Sequence, residues 1–321
     1  MKGKKGHKAK WFILAAILLS GCSGDDAPNS TNNNNDKDSE IHFNADVWRV
    51  MEGTRATTFD NQAAIQEECY FTCTMYDANT ITVHYPATQV DWNSTNWAFH
   101  NVTYRWPNSG SLDFFAYMPA TKPDYITSIS YTTARNPQFT CTELPMTSAK
   151  QSSSLKEFIY ALTLNQDKEN PGNNGVTMTF KHPFARIKFQ LSANHPDVHI
   201  NTITFKDLKT GGNCSFDGNV STWSSLTPAE LTDNFVATHN ADFKDNPNNV
   251  VPLGDPYIMV PQSWAGEIEV NITWDDWGTP KTETLSTTVP TTWQPGYSYT
   301  YTFTISKYAL IVNIEKFTEQ W

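Results

Sequence analysis

This chain is short of cations, of long apolar runs and of recognisable catalytic motifs, and each shortage excludes something. Its 321 residues carry 23 Lys and Arg against 33 Asp and Glu, for a formal charge of −10. An acidic surface repels phosphate backbones, so nucleic acid is not an expected partner. The apolar run Trp11–Leu19 has nine residues. As a helix it rises only ~14 Å, against the ~30 Å of a bilayer core, so it is not a membrane span. No Gly-x-Ser-x-Gly, His-Glu-x-x-His, P-loop or Rossmann glycine pattern occurs, and eight His are scattered without a partner pattern. No catalytic residue and no cofactor is therefore expected, and the chain does not read as an enzyme. Helical periodicity is confined to two short candidates, Gln62–Glu68 and Pro228–Leu231.

Cysteine is also sparse: Cys22, Cys69, Cys73, Cys141 and Cys214. Cys69 and Cys73 are four apart and would share one face of a strand. No His or acidic companion stands beside them at ligand spacing, so no metal site is expected, and buried free thiols are the reading. A disulfide pairing is left open, because sequence does not fix connectivity. The loop Asp242–Asn249 offers oxygen ligands but lacks the spacing of a Ca²⁺ loop, and reads as solvated.

What is present at the N-terminus is informative. Lys2, Lys4, Lys5, Lys8 and Lys10 precede the apolar run, and Leu19-Ser20-Gly21-Cys22 closes it. A positive start, a short apolar core and small residues before a cut form a secretory signal. Residues 1–21 resemble a bacterial lipoprotein signal peptide. That resemblance implies acylation of Cys22 and a lipid anchor in the cell outer membrane. Removal of 1–21 takes five Lys and no acid, and the charge moves from −10 to −15. Ser23-Gly24-Asp25-Asp26 resembles the surface-export signal of Bacteroides-type lipoproteins, or is simple linker polarity. Residues 27–40 contain a single apolar residue, Ala27, so 22–40 reads as a flexible tether.

From residue 41 onward strand signals dominate. Tyr297 to Ile305 alternates large apolar residues with hydroxyls over nine positions, a half-buried strand. Further strands are expected at Ile81–Tyr85, Asp113–Tyr117, Val176–Phe180, Ala185–Leu191, Ile200–Phe205, Tyr257–Val260 and Ile268–Trp274. Turns are expected at Asn108-Ser109-Gly110, Asn170-Pro171-Gly172, Gly211-Gly212-Asn213 and Asp217-Gly218. Many short strands between Gly and Pro turns imply an all-β sandwich architecture. The length suits two sandwiches in tandem, 41–178 and 179–321.

Trp92, Trp97 and Trp106, with Phe99 and Tyr104, crowd the stretch Asp91–Pro107. Exposed, these rings would stack on sugars. Buried, they fill a strand pair, and the apolar area of aromatics favours burial.

Five stretches in order resemble the fimbrillin family, the type V pilins of Bacteroides-type bacteria. They are Thr54-Arg55-Ala56-Thr57, Leu112 to Pro119, Phe180 to Phe189, Ile258 to Gln262, and Trp293 to Tyr299. The resemblance implies two transthyretin-like β-sandwiches behind the signal and tether. It implies a cell-surface fimbrium with other fimbrial subunits, copies of itself or paralogues, as partners, and a host or glycan ligand for adhesion. It also implies cleavage by an Arg-specific protease between Arg55 and Ala56, which would release the strand before it. Ile41, Phe43, Ala45 and Val47 alternate with His42, Asn44, Asp46 and Trp48, so that piece reads as a strand. The vacated edge would accept a strand from the next subunit. Leu310, Val312 and Ile314 give the C-terminal segment one apolar face, making it a candidate donor strand or the last strand of its own sandwich. The alternative function is a monomeric surface lipoprotein that binds glycans through aromatic residues.

Overall fold

The computed structural model describes residues 40–47, 70–144, 155–169, 175–193, 198–218, 220–228, 235–242, 250–253, 256–276, 279–306 and 309–320. Cys22, Arg55, Ala56, Cys69 and the helix candidate Gln62–Glu68 lie outside the described residues, as does the loop after Asp242. Among the described residues every regular element is a strand. No helix there is long and apolar enough to cross a membrane.

The first nine strands are β1 (Phe43–Val47), β2 (Tyr70–Asp77), β3 (Val83–Trp92), β4 (Trp97–Phe99), β5 (Leu112–Met118), β6 (Ile126–Tyr131), β7 (Pro137–Cys141), β8 (Ile159–Gln166) and β9 (Val176–Phe180). Then come β10 (Ala185–Ala193), β11 (Val198–Phe205), β12 (Lys209–Phe216), β13 (Ser221–Pro228), β14 (Phe235–Asp242), β15 (Val251–Pro252) and β16 (Tyr257–Met259). The last six are β17 (Ser263–Trp264), β18 (Glu267–Asp276), β19 (Thr279–Thr288), β20 (Thr291–Thr292), β21 (Tyr297–Ser306) and β22 (Ala309–Gln320).

A seven-stranded sheet runs β8-β5-β2-β3-β4-β1-β9. It curls around a core that includes Phe43, Phe71, Cys73, Met75, Trp97, Phe114 and Met178. Its end strands meet: Tyr160 and Lys181 exchange backbone hydrogen bonds of 3.2 and 2.8 Å, and the Thr163 hydroxyl donates to the Thr177 carbonyl at 2.7 Å. β5 is buried along nearly its whole length because both its faces are covered. Its inner face enters that core, while Phe115 enters a second one with Phe139, Phe158, Phe184 and Phe216. The four-stranded sheet β13-β12-β7-β6 supplies part of this second core.

A third core lies between the sheet β15-β10-β21-β22, to which β16 adds, and the sheet β14-β11-β18-β19. Ile187, Phe189, Tyr299, Tyr301 and Phe303 enter it from one side, and Ile203, Phe205, Val270 and Ile272 from the other. The alternation expected of Tyr297–Ile305 is therefore present, with Tyr299, Tyr301 and Phe303 inward. β10 and β21 pair in parallel from Arg186↔Ser298 to Ala193↔Ile305. The fold is an all-β sandwich.

Strands on either side of residue 178 do not sort into separate sheets. The hairpin of β12 and β13 pairs through β12 with β7, from Gly212↔Cys141 to Ser215↔Gln138. The expected turn Gly211-Gly212-Asn213 is strand instead, with register shifts at both glycines. The reason is close approach. A Cβ on Gly211 would lie 1.8 Å from the Thr142 carbonyl oxygen, so glycine lets two backbones touch where it could have turned one. The strand expected at Ile81–Tyr85 starts later, at Val83. Asp77 Oδ1 accepts from the Asn79 and Thr80 amides at 3.0 and 2.8 Å, which stabilises a turn that carries Ile81 at φ 56°. Those bonds, the Thr80 amide and hydroxyl foremost, hold the Asp77 carboxyl below its ordinary pKa.

Candidate strand-exchange site

The site begins with the alternation in residues 41–46. Ile41, Phe43 and Ala45 are buried at 3, 2 and 1 % exposure, while His42, Asn44 and Asp46 are exposed. The apolar face of β1 thus enters the core of the seven-stranded sheet. Val47 is in β1, with its side chain outside the described residues.

Phe43 is the centre. Its ring meets Phe99 at 5.0 Å and Phe71 and Phe114 at 5.8 Å, each edge-to-face. Such pairs contribute about 0.5–1.5 kcal/mol beyond area burial. Burying Ile41 and Phe43 contributes roughly 3–6 kcal/mol together. Ordering five backbone residues costs about 5–10 kcal/mol. β1 is therefore a strand whose docking depends on being tethered beside its site.

The sheet neighbours of β1 are unequal. With β9 it pairs in parallel over five positions, from Phe43↔Val176 to Val47↔Phe180. With β4 it pairs at Phe43↔Trp97 alone. The His42 carbonyl accepts from the Val176 amide at 2.7 Å, and the Ile41 amide donates to the Tyr104 carbonyl at 3.0 Å. Gly175 makes the first contact. At φ 78° it lies where L side chains are strained, and a Cβ there would stand 2.8 Å from the His42 carbonyl oxygen. Large faces small across the ladder: Phe43 beside Val176, Ala45 beside Met178.

The Trp-rich stretch forms one wall of this site. Trp97 and Trp106 are buried at 2 and 8 %, Phe99 at 8 %, and Tyr104 and Trp92 are half-buried against the same core. Two of the three tryptophans therefore pack the core. Tyr104 stacks on Tyr85 at 4.2 Å.

At the other end of the chain, β22 is an edge strand. It pairs antiparallel with β21 from Ser306↔Ala309 to Tyr297↔Gln320. Val312 and Ile314 pack against the third core, and Ile311 is 55 % exposed on the other face. Leu310 lies in this strand, with its side chain outside the described residues.

The three described thiols are inert. Cys73, Cys141 and Cys214 are free and buried. Burial raises the pKa of Cys73 and Cys214 and pushes Cys141 up to about 12. At neutral pH they stay protonated and unreactive. Among the described residues no cluster of His, Cys, Asp and Glu could hold a metal ion.

Sequence reasoning finds β1 and β22 but misses Gly175, Val176 and Met178 as the surface that receives β1. The pairing joins segments more than 130 residues apart, and no local pattern reports it.

A fimbrillin-like family model matches residues 54–321. The chain belongs to the fimbrillin-like family. It is therefore a fimbrial or adhesive surface protein. Among solved structures, a candidate cell adhesion protein from Bacteroides ovatus is similar at 17 % identity. That match has a TM-score of 0.53 and covers 88 % of this chain and 96 % of the other. One from Bacteroides uniformis is similar at 14 % identity and a TM-score of 0.51, over 87 % of this chain and 98 % of that one. These likenesses speak to the fold. No curated protein matches the chain.

Proposed function

We propose that this fimbrillin-like chain is exported as a lipoprotein precursor anchored through Cys22. In this reading it becomes a structural or adhesive subunit of a surface fimbrium when a protease cuts between Arg55 and Ala56. The observation that supports this is the position of β1 in its sheet. β1 is followed by residues 48–69, which carry Arg55, but the strand after them, β2, pairs with β3 and β5 rather than with β1. A cut in 48–69 would leave β1 held by β9, by one position of β4 and by its apolar side chains. Its effective concentration would fall from that of a tethered strand to that of a free one. The vacated edge of β9 and the Phe43 site would then be open to an extended strand from another subunit. A contact of this heterologous kind does not close and grows a filament.

The candidate donor is β22, through Leu310, Val312 and Ile314. Among the described residues its outer edge carries no further strand. Its pairing with β21 is the form expected before assembly.

The experiment is cleavage of the lipidated precursor by an Arg-specific protease, alongside an Arg55→Ala variant. Loss of the segment before Ala56 from the parent and not from the variant is expected, with shed protein beginning at Ala56. A product that keeps β1 after cleavage at Arg55, even with other fimbrial subunits present, would refute strand exchange.

A further inference from the structure

We infer that the β1 site of this chain is built for a strand from a different protein, of pattern aliphatic-x-aromatic-x-small, and rejects the chain's own β22. The inference rests on the strand-exchange reading and names the partner it requires.

The argument is one of volume. Interiors are packed to crystal density, so a vacated strand site keeps the shape of what filled it. Three adjacent inward positions are occupied by Ile41, Phe43 and Ala45, all buried. The central position is lined by the rings of Phe71, Phe99 and Phe114. On β9 the flanking residues are sized in the opposite sense, Val176 beside Phe43 and Met178 beside Ala45. This large-beside-small alternation fixes the register, since a two-residue slip one way would put Phe43 against Met178 and a slip the other way would put Ala45 against Val176.

Within Ala309–Gln320, β22 does not fit in any frame. Leu310-x-Val312-x-Ile314 puts Val where the three rings expect an aromatic, and Ile where Met178 leaves room for Ala. The other face, Ile311-x-Asn313-x-Glu315, buries polar groups. The ring of Phe317 has Glu315 and Glu319 two positions away on either side. Reversing the strand helps none of these, because the centre still lacks an aromatic between apolar neighbours. An undersized centre leaves a cavity and an oversized end forces overpacking, and together they weaken binding by on the order of 100-fold. Filaments that include this chain would therefore be heteromeric at its β1 site.

Two measurements test this on the full-length protein. In the first, Ile41→Leu, Phe43→Val and Ala45→Ile are combined, which writes the tail pattern into β1. The thermal midpoint is expected to fall by at least about 5 °C. An unchanged midpoint would show that the site does not select by size, and would overturn the inference whether or not strands exchange. In the second, protein cleaved at Arg55 is offered two synthetic peptides, one with residues 40–47 and one with residues 309–320, and retention is read by native mass spectrometry. Retention of the first at on the order of 100-fold lower concentration than the second supports the inference. Equal retention of both overturns it and leaves strand exchange standing. Retention of neither overturns both readings.

Discussion

Replacing Phe43 with alanine separates a detachable strand from an integral one. The side chain is 2 % exposed and surrounded by three rings between 5.0 and 5.8 Å away. Truncating a ring in such a place costs about 3–5 kcal/mol. Where that cost falls depends on what opens. If β1 opens as a local unit, the loss appears in the amides that hold it. These are Val176, which donates to the His42 carbonyl at 2.7 Å, and Ile41, which donates to the Tyr104 carbonyl at 3.0 Å. Their protection against hydrogen exchange should fall by roughly 10²- to 10⁴-fold. The Leu253 amide, which donates to the Phe189 carbonyl at 2.8 Å beside the third core, should keep its protection. Native-state exchange followed by mass spectrometry or NMR reads all three. Equal loss at Leu253 and Val176 would show that β1 opens only when the whole protein does. Unchanged exchange at Val176 would show that Phe43 does not hold β1 in place.

Gly175→Ala should loosen β1 selectively, because the added Cβ meets the His42 carbonyl oxygen at 2.8 Å and φ is 78°. A cost of about 1–3 kcal/mol and faster protease nicking around residues 40–47 are expected, and unaltered nicking would contradict the close approach. Asp113→Ala should cost about 3 kcal/mol by denaturant unfolding. The buried carboxylate accepts from Tyr131 Oη at 2.9 Å, from Arg135 Nε at 2.7 Å, from Arg135 Nη2 and from the Asn165 amide at 2.9 Å, and its removal takes the shared acceptor from all three residues. The three described thiols set a pH dependence. Their folded pKa values lie above the ordinary thiol value, Cys141 at about 12. Below about pH 8.5 both states keep these protons, and stability is unaffected. Above it the unfolded chain loses them first, so stability should fall as pH rises towards 12, and Cys→Ala variants should flatten that slope.

Local periodicity made much of the fold legible. Tyr299, Tyr301 and Phe303 face inward as their alternation requires, and Val176–Phe180 begins and ends where its pattern does. Trp97 and Trp106 are buried, as the apolar area of their rings favours. Long-range pairing was not legible. Nothing near Gly175 announces that the carbonyl of His42 will rest on it. Nothing in Gly211-Gly212 distinguishes a turn from a strand that must pass under Thr142. Glycine permits both outcomes, and the choice is made by a partner remote in sequence. The candidate site was half legible for the same reason: the inserted strand carries its own pattern, and the surface that receives it does not.

The parallel pairing of β10 with β21 has a consequence for the order of events in synthesis. The Gln190 side-chain Nε2 donates to the Thr302 hydroxyl across 112 residues at 2.6 Å. A chain made or threaded from its N-terminus thus presents β10, with Ile187, Phe189 and Leu191, long before the strand that covers it exists. The third core cannot close until β21 arrives. Such late, non-local closure folds slowly and leaves apolar strand edges open in the interval. Whatever shields the chain during that wait must therefore act on its C-terminal half, and a truncation that removes β21 should leave β10 as the segment most prone to aggregate.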